Sequence, residues 1–252
     1  MTRKTKSRWA ARPHNGRSAS SLPHDHPAVL DRRTVYPSTV RSPRRDANGL
    51  WALKSGVNNR KIGGQILKGR WKGFPVYTLT LEERATCPTS CRHWRSCYGN
   101  NMHWGRMRAG PDLEWRLERE VALLDIDHPD GFAVRLHVLG DFYSVEYVEL
   151  WGKLLERHPD LHIWGYTAHS DGPIFAALVE LVKRYGARFA VRFSNAPFPF
   201  PYPATITVET EQQIPADAIL CPVQVGKTES CSTCGLCWHT KLTKRRIAFL
   251  RH

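Results

Sequence analysis

The sequence predicts an α/β protein: a partial (β/α) barrel with parallel strands, a cysteine-rich C-terminal extension and a disordered basic N-terminal arm. Three observations carry that expectation. Strand-like and helix-like periodicities alternate from about residue 74 to 195. A triple-cysteine loop follows the first strand, and a glycine–acid turn follows the second. Strands that alternate with helices pair in parallel through right-handed crossovers, and such sheets hold ligands at the carboxyl ends of their strands.

Residues 1–45 contain eleven Lys or Arg against Asp25 and Asp31, with Pro and Ser and no hydrophobic period. A segment of that composition buries too little apolar surface to offset its chain entropy, so it reads as a disordered basic arm. "FPVYTLTL" (74–81) alternates apolar and polar residues and predicts a strand. "GPDLEWRLEREVALL" follows as a helix capped by Asp112, with Leu113, Leu117, Val121 and Leu124 on one face. "FAVRLHVL" (132–139) is the second strand. "SVEYVELWGKLLERHPD" is a helix capped by Ser144, with Val145, Val148, Trp151 and Leu155 on one stripe and an end before Pro159. "LHIWGYT" (161–167) is the third strand. "DGPIFAALVELVKRYG" is a helix with Asp171 as cap, Pro173 in its first turn and Gly186 as its stop. "ARFAVRFSN" returns a fourth strand. The loops "GDFYS", "AHSDG" and "SNAPFPFP" should then open with the cysteine loop onto one mouth.

Nine Trp, nine Phe and eight Tyr in 252 residues suffice for one substantial core, which places the α/β domain at 46–215 and the extension at 216–252. No stretch approaches the roughly 18–20 apolar residues of a membrane span. The N-terminus lacks an apolar signal core, so a cytoplasmic protein with no membrane partner is expected. The net charge of +14 is concentrated in the arm and suits contact with nucleic acid through counterion release.

Seven cysteines in a reducing compartment point to metal rather than disulfides. Cys231, Cys234 and Cys237 are separated by two residues each, and Cys221 precedes Pro222. That pattern is closer to cluster-binding ferredoxins than to the paired spacing of zinc sites. If those four close a 4Fe-4S cluster, Cys87, Cys91 and Cys97 remain as three thiolates, and a cluster held by three leaves one iron open. Zinc is the alternative, with His93 completing a tetrahedral site beside Cys87, Cys91 and Cys97. A partition in which Cys221 joins the first group also stays open. Asn100, Asn101 and His103 are expected to turn the chain, and His137 to be a satisfied core histidine.

The triple-cysteine loop followed by "LGDF" resembles the radical S-adenosylmethionine enzymes. That resemblance implies a 4Fe-4S cluster on the three cysteines and S-adenosylmethionine on its open iron. It also implies Gly140 and Asp141 where the family's glycine-glycine-glutamate turn holds the amino group, and Ser194 and Asn195 near the nucleoside. Asp141 becomes the candidate catalytic residue. The spacing departs from that family: three residues and then five, where two are usual, with Ser96 rather than an aromatic before Cys97. "YTLTLEERATCPTSCRHWRSCYGNNM", "VRLHVLGDFYSVEYVELW", "RFAVRFSNA" and "CGLCW" resemble blocks of the phage and bacterial gene product 88 family, which implies one domain and one cysteine set. The second function class is a non-catalytic zinc or iron–sulfur protein that binds nucleic acid through its arm.

Overall fold

The computed structural model describes residues 21–197, 199–239 and 245–251. Its framework is an eight-stranded, mostly parallel sheet. In chain order the strands are β1 (Lys54–Ser55), β2 (Val76–Thr78), β3 (Phe132–Leu136), β4 (Leu161–Thr167), β5 (Phe189–Ser194), β6 (Ala204–Val208), β7 (Ala218–Leu220) and β8 (Arg246–Leu250). Their spatial order is β1-β2-β3-β4-β5-β6-β8-β7. Only the β1–β2 pair is antiparallel. The crossovers β2→β3, β3→β4 and β4→β5 run through helices α1 (Pro111–Asp127), α2 (Val145–Arg157) and α3 (Gly172–Tyr185).

The alternation of side chains along each strand sorts the two faces. Phe132, Val134, Leu136, Ile163, Phe189, Val191 and Phe193 join the core beneath the helices, against Leu113, Leu117, Val121, Trp151 and Leu155. Their strand neighbours Ala133, Trp164 and Ala190 face a second cluster with Trp71, Trp238 and Ile247. Arg135, Tyr166, Arg192 and Ser194 share the parity of that second face. It is the face on which the cysteines sit.

The helices follow the expected pattern with two differences. Ser144 caps α2, its hydroxyl accepting from the Tyr147 N–H at 3.1 Å. Asp112 does not cap α1: Gly110 stands at the cap, and Asp112 pairs instead with Arg45 at 2.6 Å. Asp171 holds the cap position of α3 without a side-chain hydrogen bond. The regular ladder of β2 covers only Val76–Thr78, although single bonds from Leu79 N–H to Arg135 O and from Leu81 N–H to Leu139 O continue the pairing.

Two expected boundaries move. The first 20 residues of the basic arm lie outside the described residues, but residues 21–45 are folded onto the body. Leu22 and Arg95 exchange bonds of 3.1 and 2.7 Å, and Thr34 is buried against Glu83. These contacts are polar, which is why no hydrophobic period announced them. The segment 216–252 is not an appendage either. It supplies β7 and β8, and β8 pairs with both β6 and β7. Among the described residues no helix is long and apolar enough to cross a membrane.

Candidate functional site

The loop after β2 begins with a run of buried charge. Glu82, Glu83 and Arg84 are buried, as is Arg106 beyond the cysteines. Arg106 donates to both oxygens of Glu83, at 2.6 and 3.1 Å, and to the carbonyls of Gly99, Met102 and Trp104. Thr34 donates its hydroxyl to Glu83 at 2.8 Å. Arg84, at φ 63°, donates to the carbonyls of Trp94 and Arg33 and to the side chain of Asn100. Asn100 in turn donates to the Arg95 carbonyl at 2.8 Å. These bonds satisfy loop carbonyls that no regular element reaches, and they set the course of the chain from Cys87 to Met102.

The other three strand-end loops meet this one. Cys87, Cys91 and Cys97 line a cavity of about 290 Å³ together with Gly140 and Asp141 after β3, Thr167 and Ala168 at the end of β4, and Ser194 and Asn195 at the end of β5. The four loops expected at one mouth therefore do line one cavity. Gly140 sits at φ 85°, and a Cβ there would stand 2.6 Å from both Leu81 Cβ and Thr86 Oγ1. Only glycine brings this turn so close to the cysteine loop.

Asp141 is buried and ties two loops together. One oxygen accepts the Phe142 N–H at 2.8 Å and the other the Ala168 N–H at 2.6 Å. Burial raises its pKa, while His169 and these N–H groups oppose the rise. Asn195, at φ 56°, accepts the Thr207 N–H at 2.9 Å and holds the rim. His93 lines the same cavity with its Nε2 3.1 Å from Thr207 Oγ1, and burial lowers its pKa. His137 Nε2 lies 3.0 Å from the Tyr147 hydroxyl, but among the described residues its buried Nδ1 meets no partner, so the histidine is only half satisfied. Burial lowers its pKa to about 3, with Arg135 adding to the effect, and keeps the ring neutral.

Cys221, Cys231, Cys234 and Cys237 line a second cavity of about 440 Å³. The Ser230–Thr233 capping box starts the turn Cys231–Cys234, and Gly235 in the left-handed region ends it. This turn docks on the segment before β2: Cys231 N–H donates to Lys61 O at 2.8 Å and Ser232 N–H to Ile62 O at 3.0 Å. Arg192, buried in β5, donates to the carbonyls of Leu236, Cys237 and His239 from below.

The two cavities share a wall of Tyr98, Arg135, Val138, Tyr166 and Phe249. The Tyr166 hydroxyl lies 2.8 Å from Cys237 Sγ. The Arg135 guanidinium stands 4.5 Å from the centre of the Tyr166 ring. Burial, and the neighbouring thiols, push these cysteines away from the thiolate: Cys97 and Cys231 to about 12 and Cys221 to about 11. Among the described residues no three His, Cys, Asp or Glu side chains converge as they would around one metal ion.

Cys87, Cys91, Cys97, Gly140, Asp141, Ser194 and Asn195 thus line one cavity, and Cys221, Cys231, Cys234 and Cys237 line the adjoining one. Sequence reasoning missed the Glu83–Arg106 pair, Arg84, Arg192 and the wall residues Arg135 and Tyr166. The signal available was a charged run, "LEER", directly before the cysteine loop, and a lone arginine within each of two apolar strands.

The family model described as Gene product 88 matches residues 51–240. The Gene 88 protein of Mycobacterium phage L5 is 37% identical over 41 residues, a stretch that is 16% of this chain and 17% of the phage protein. The chain thus matches less than a fifth of that relative's length. No solved structure matches.

Proposed function

The chain belongs to the gene product 88 family, and from its two adjoining cysteine cavities we propose that it is an iron–sulfur protein of radical S-adenosylmethionine-like type. Cys87, Cys91 and Cys97 would hold a cluster with one open iron, and Cys221, Cys231, Cys234 and Cys237 would close a second. The observation that carries this reading is the three-and-four division of the thiols, with the three facing the loops after β3, β4 and β5. The chemistry of the donor set fits. The thiols of Cys97, Cys221 and Cys231, raised by burial, stay protonated on their own, and a metal centre supplies the positive charge that lets them ionise.

When bound, a three-cysteine 4Fe-4S cluster supplies an electron to the sulfonium of S-adenosylmethionine. The chain's own residues would bind and orient that cofactor. The Asp141 carboxylate, disfavoured by burial, gains from a nearby ammonium group, and its two backbone bonds fix its direction. Gly140 allows the close approach, and Ser194 and Asn195 offer polar contacts at the rim. We read the sheet, with helices on one face and cavities on the other, as a partial barrel whose inner face carries the chemistry.

Purification under argon tests this. The expected product is brown, contains iron and acid-labile sulfide, and releases deoxyadenosine when reduced with S-adenosylmethionine. Colourless protein holding stoichiometric zinc would sink the reading and leave the cysteines as structural staples. Iron without deoxyadenosine would retain the clusters and remove the radical chemistry.

A further inference from the structure

A third cavity, about 630 Å³, opens beside the four-cysteine one and shares Asn58, Asn59, Trp104 and Val138 with it. The two adjoin along those four residues and make up a groove of two parts. No Asp or Glu lines either part. The basic side chains along it are Arg41 and Lys54 in the outer part and Arg60, Lys61 and Arg135 in the inner part. Among the described residues none of these five takes part in an ion pair, although eleven ion pairs occupy other cations of the chain. A groove lined by one sign of charge focuses the field on an anionic ligand.

Aromatic rings stand among those cations. Trp104 is 48% exposed and Tyr98 41%, in a protein that otherwise buries Trp71, Trp151 and Trp164 completely. Tyr98 lines the inner part, and burial pushes its pKa to about 12. Trp51 lines the outer part with the Lys54 ammonium 5.5 Å from its ring centre. Apolar indole surface in water is unfavourable, and among the described residues about half of Trp104 stays uncovered. Cations that track phosphates and rings that stack on bases are the two components of single-stranded nucleic-acid sites.

We propose that this groove binds single-stranded nucleic acid, with a base stacked on Trp104 and phosphates along Lys54, Arg60 and Lys61, leading toward the four-cysteine cavity. The site belongs to the folded body, to which residues 21–45 contribute Arg41. It stands on the groove's side chains and needs no cluster, so iron content is followed in every variant to keep the two readings distinguishable.

Fluorescence anisotropy on the full chain, purified under argon, tests it with labelled oligo-dT and oligo-rU of roughly 12 nucleotides and a duplex of the same length. Single strands should bind more tightly than the duplex. Trp104→Ala should weaken single-strand binding about tenfold, with Trp104→Phe restoring most of the loss because a stacking face remains. Lys54→Ala with Arg60→Ala should reduce the slope of log K against log salt by about 1.4, at about 0.7 per phosphate contact. Arg184→Ala, on the helix layer, should change neither. Binding that does not respond to Trp104, Lys54 or Arg60, or that treats duplex and single strand alike, overturns the proposal. So does an absence of binding by protein that retains its iron.

Discussion

The Tyr166 hydroxyl lies 2.8 Å from Cys237 Sγ while the Arg135 guanidinium covers the same ring at 4.5 Å. One side chain of β4 thus touches the four-cysteine set and forms part of the wall of the three-cysteine cavity. A hydrogen bond to a ligating sulfur stabilises the more negative state of a cluster and raises its reduction potential. With the proposed clusters bound, Tyr166→Phe should therefore lower the potential of the C-terminal one and move that of the first less. Redox titration followed by electron paramagnetic resonance reads both, and unchanged potentials in a folded variant would count against a cluster on Cys237.

The proposed division of the cysteines into two clusters predicts two separable losses of metal. Cys91→Ala should remove about four irons of about eight, and Cys234→Ala the other four. Iron and sulfide assays on the single and double variants check this. If either single variant loses all iron, the seven cysteines do not form independent centres.

Glu83 and Arg106 are both fully buried and joined at 2.6 Å behind the first cysteine loop. Removing one partner leaves a buried charge unpaired, which costs about 3–5 kcal/mol, whereas replacing both is milder. Arg106→Met should destabilise by that amount in urea unfolding. Glu83→Leu with Arg106→Met should recover part of the loss, but not all, because Arg106 also satisfies three carbonyls.

Gly140→Ala places a methyl 2.6 Å from Leu81 Cβ and Thr86 Oγ1 at φ 85°. Backbone strain of this kind costs about 1–3 kcal/mol, and relief requires the turn to withdraw from the cysteine loop. A lowered melting temperature and weakened S-adenosylmethionine binding by calorimetry should appear together.

His162 packs between Trp71 and Phe74, and burial lowers its pKa to about 4 from an ordinary value of 6.5. The unfolded chain therefore binds a proton that the folded one refuses between those values. The stability this group contributes is fully present above pH 6.5 and falls as the pH drops toward 4, by at most about 1.4 kcal/mol per pH unit. In urea unfolding from pH 7 to 5 the native protein should lose more stability than His162→Gln. Parallel curves would show that the ring is protonated in the folded state.

Local pattern carried much of the fold into view. The α2 stripe Val148, Trp151 and Leu155, its Ser144 cap and the β4 span needed only the periods of 3.6 and 2, which any short window displays. Asp112 misled because an acid near a helix start serves equally as a cap or as an exposed partner for a distant arginine, here Arg45. Residues 21–45 misled because their docking is polar, and the burial of Thr34 depends on a glutamate 49 positions away.

The sequence by itself determined the α/β alternation, the seven thiols, their two clusters along the chain and the placement of the strand-end turns, because each is a matter of residue type and short spacing. Tertiary structure alone decided that β8 inserts between β6 and β7, so that the C-terminal cysteines lie across one wall from the first three. It also decided which charges are buried. Glu83, Arg84, Arg106 and Arg192 look like solvated side chains in any window of sequence. They become the supports of the site because the sheet order closes around them, and burial forces each to find a partner that the chain supplies from far away.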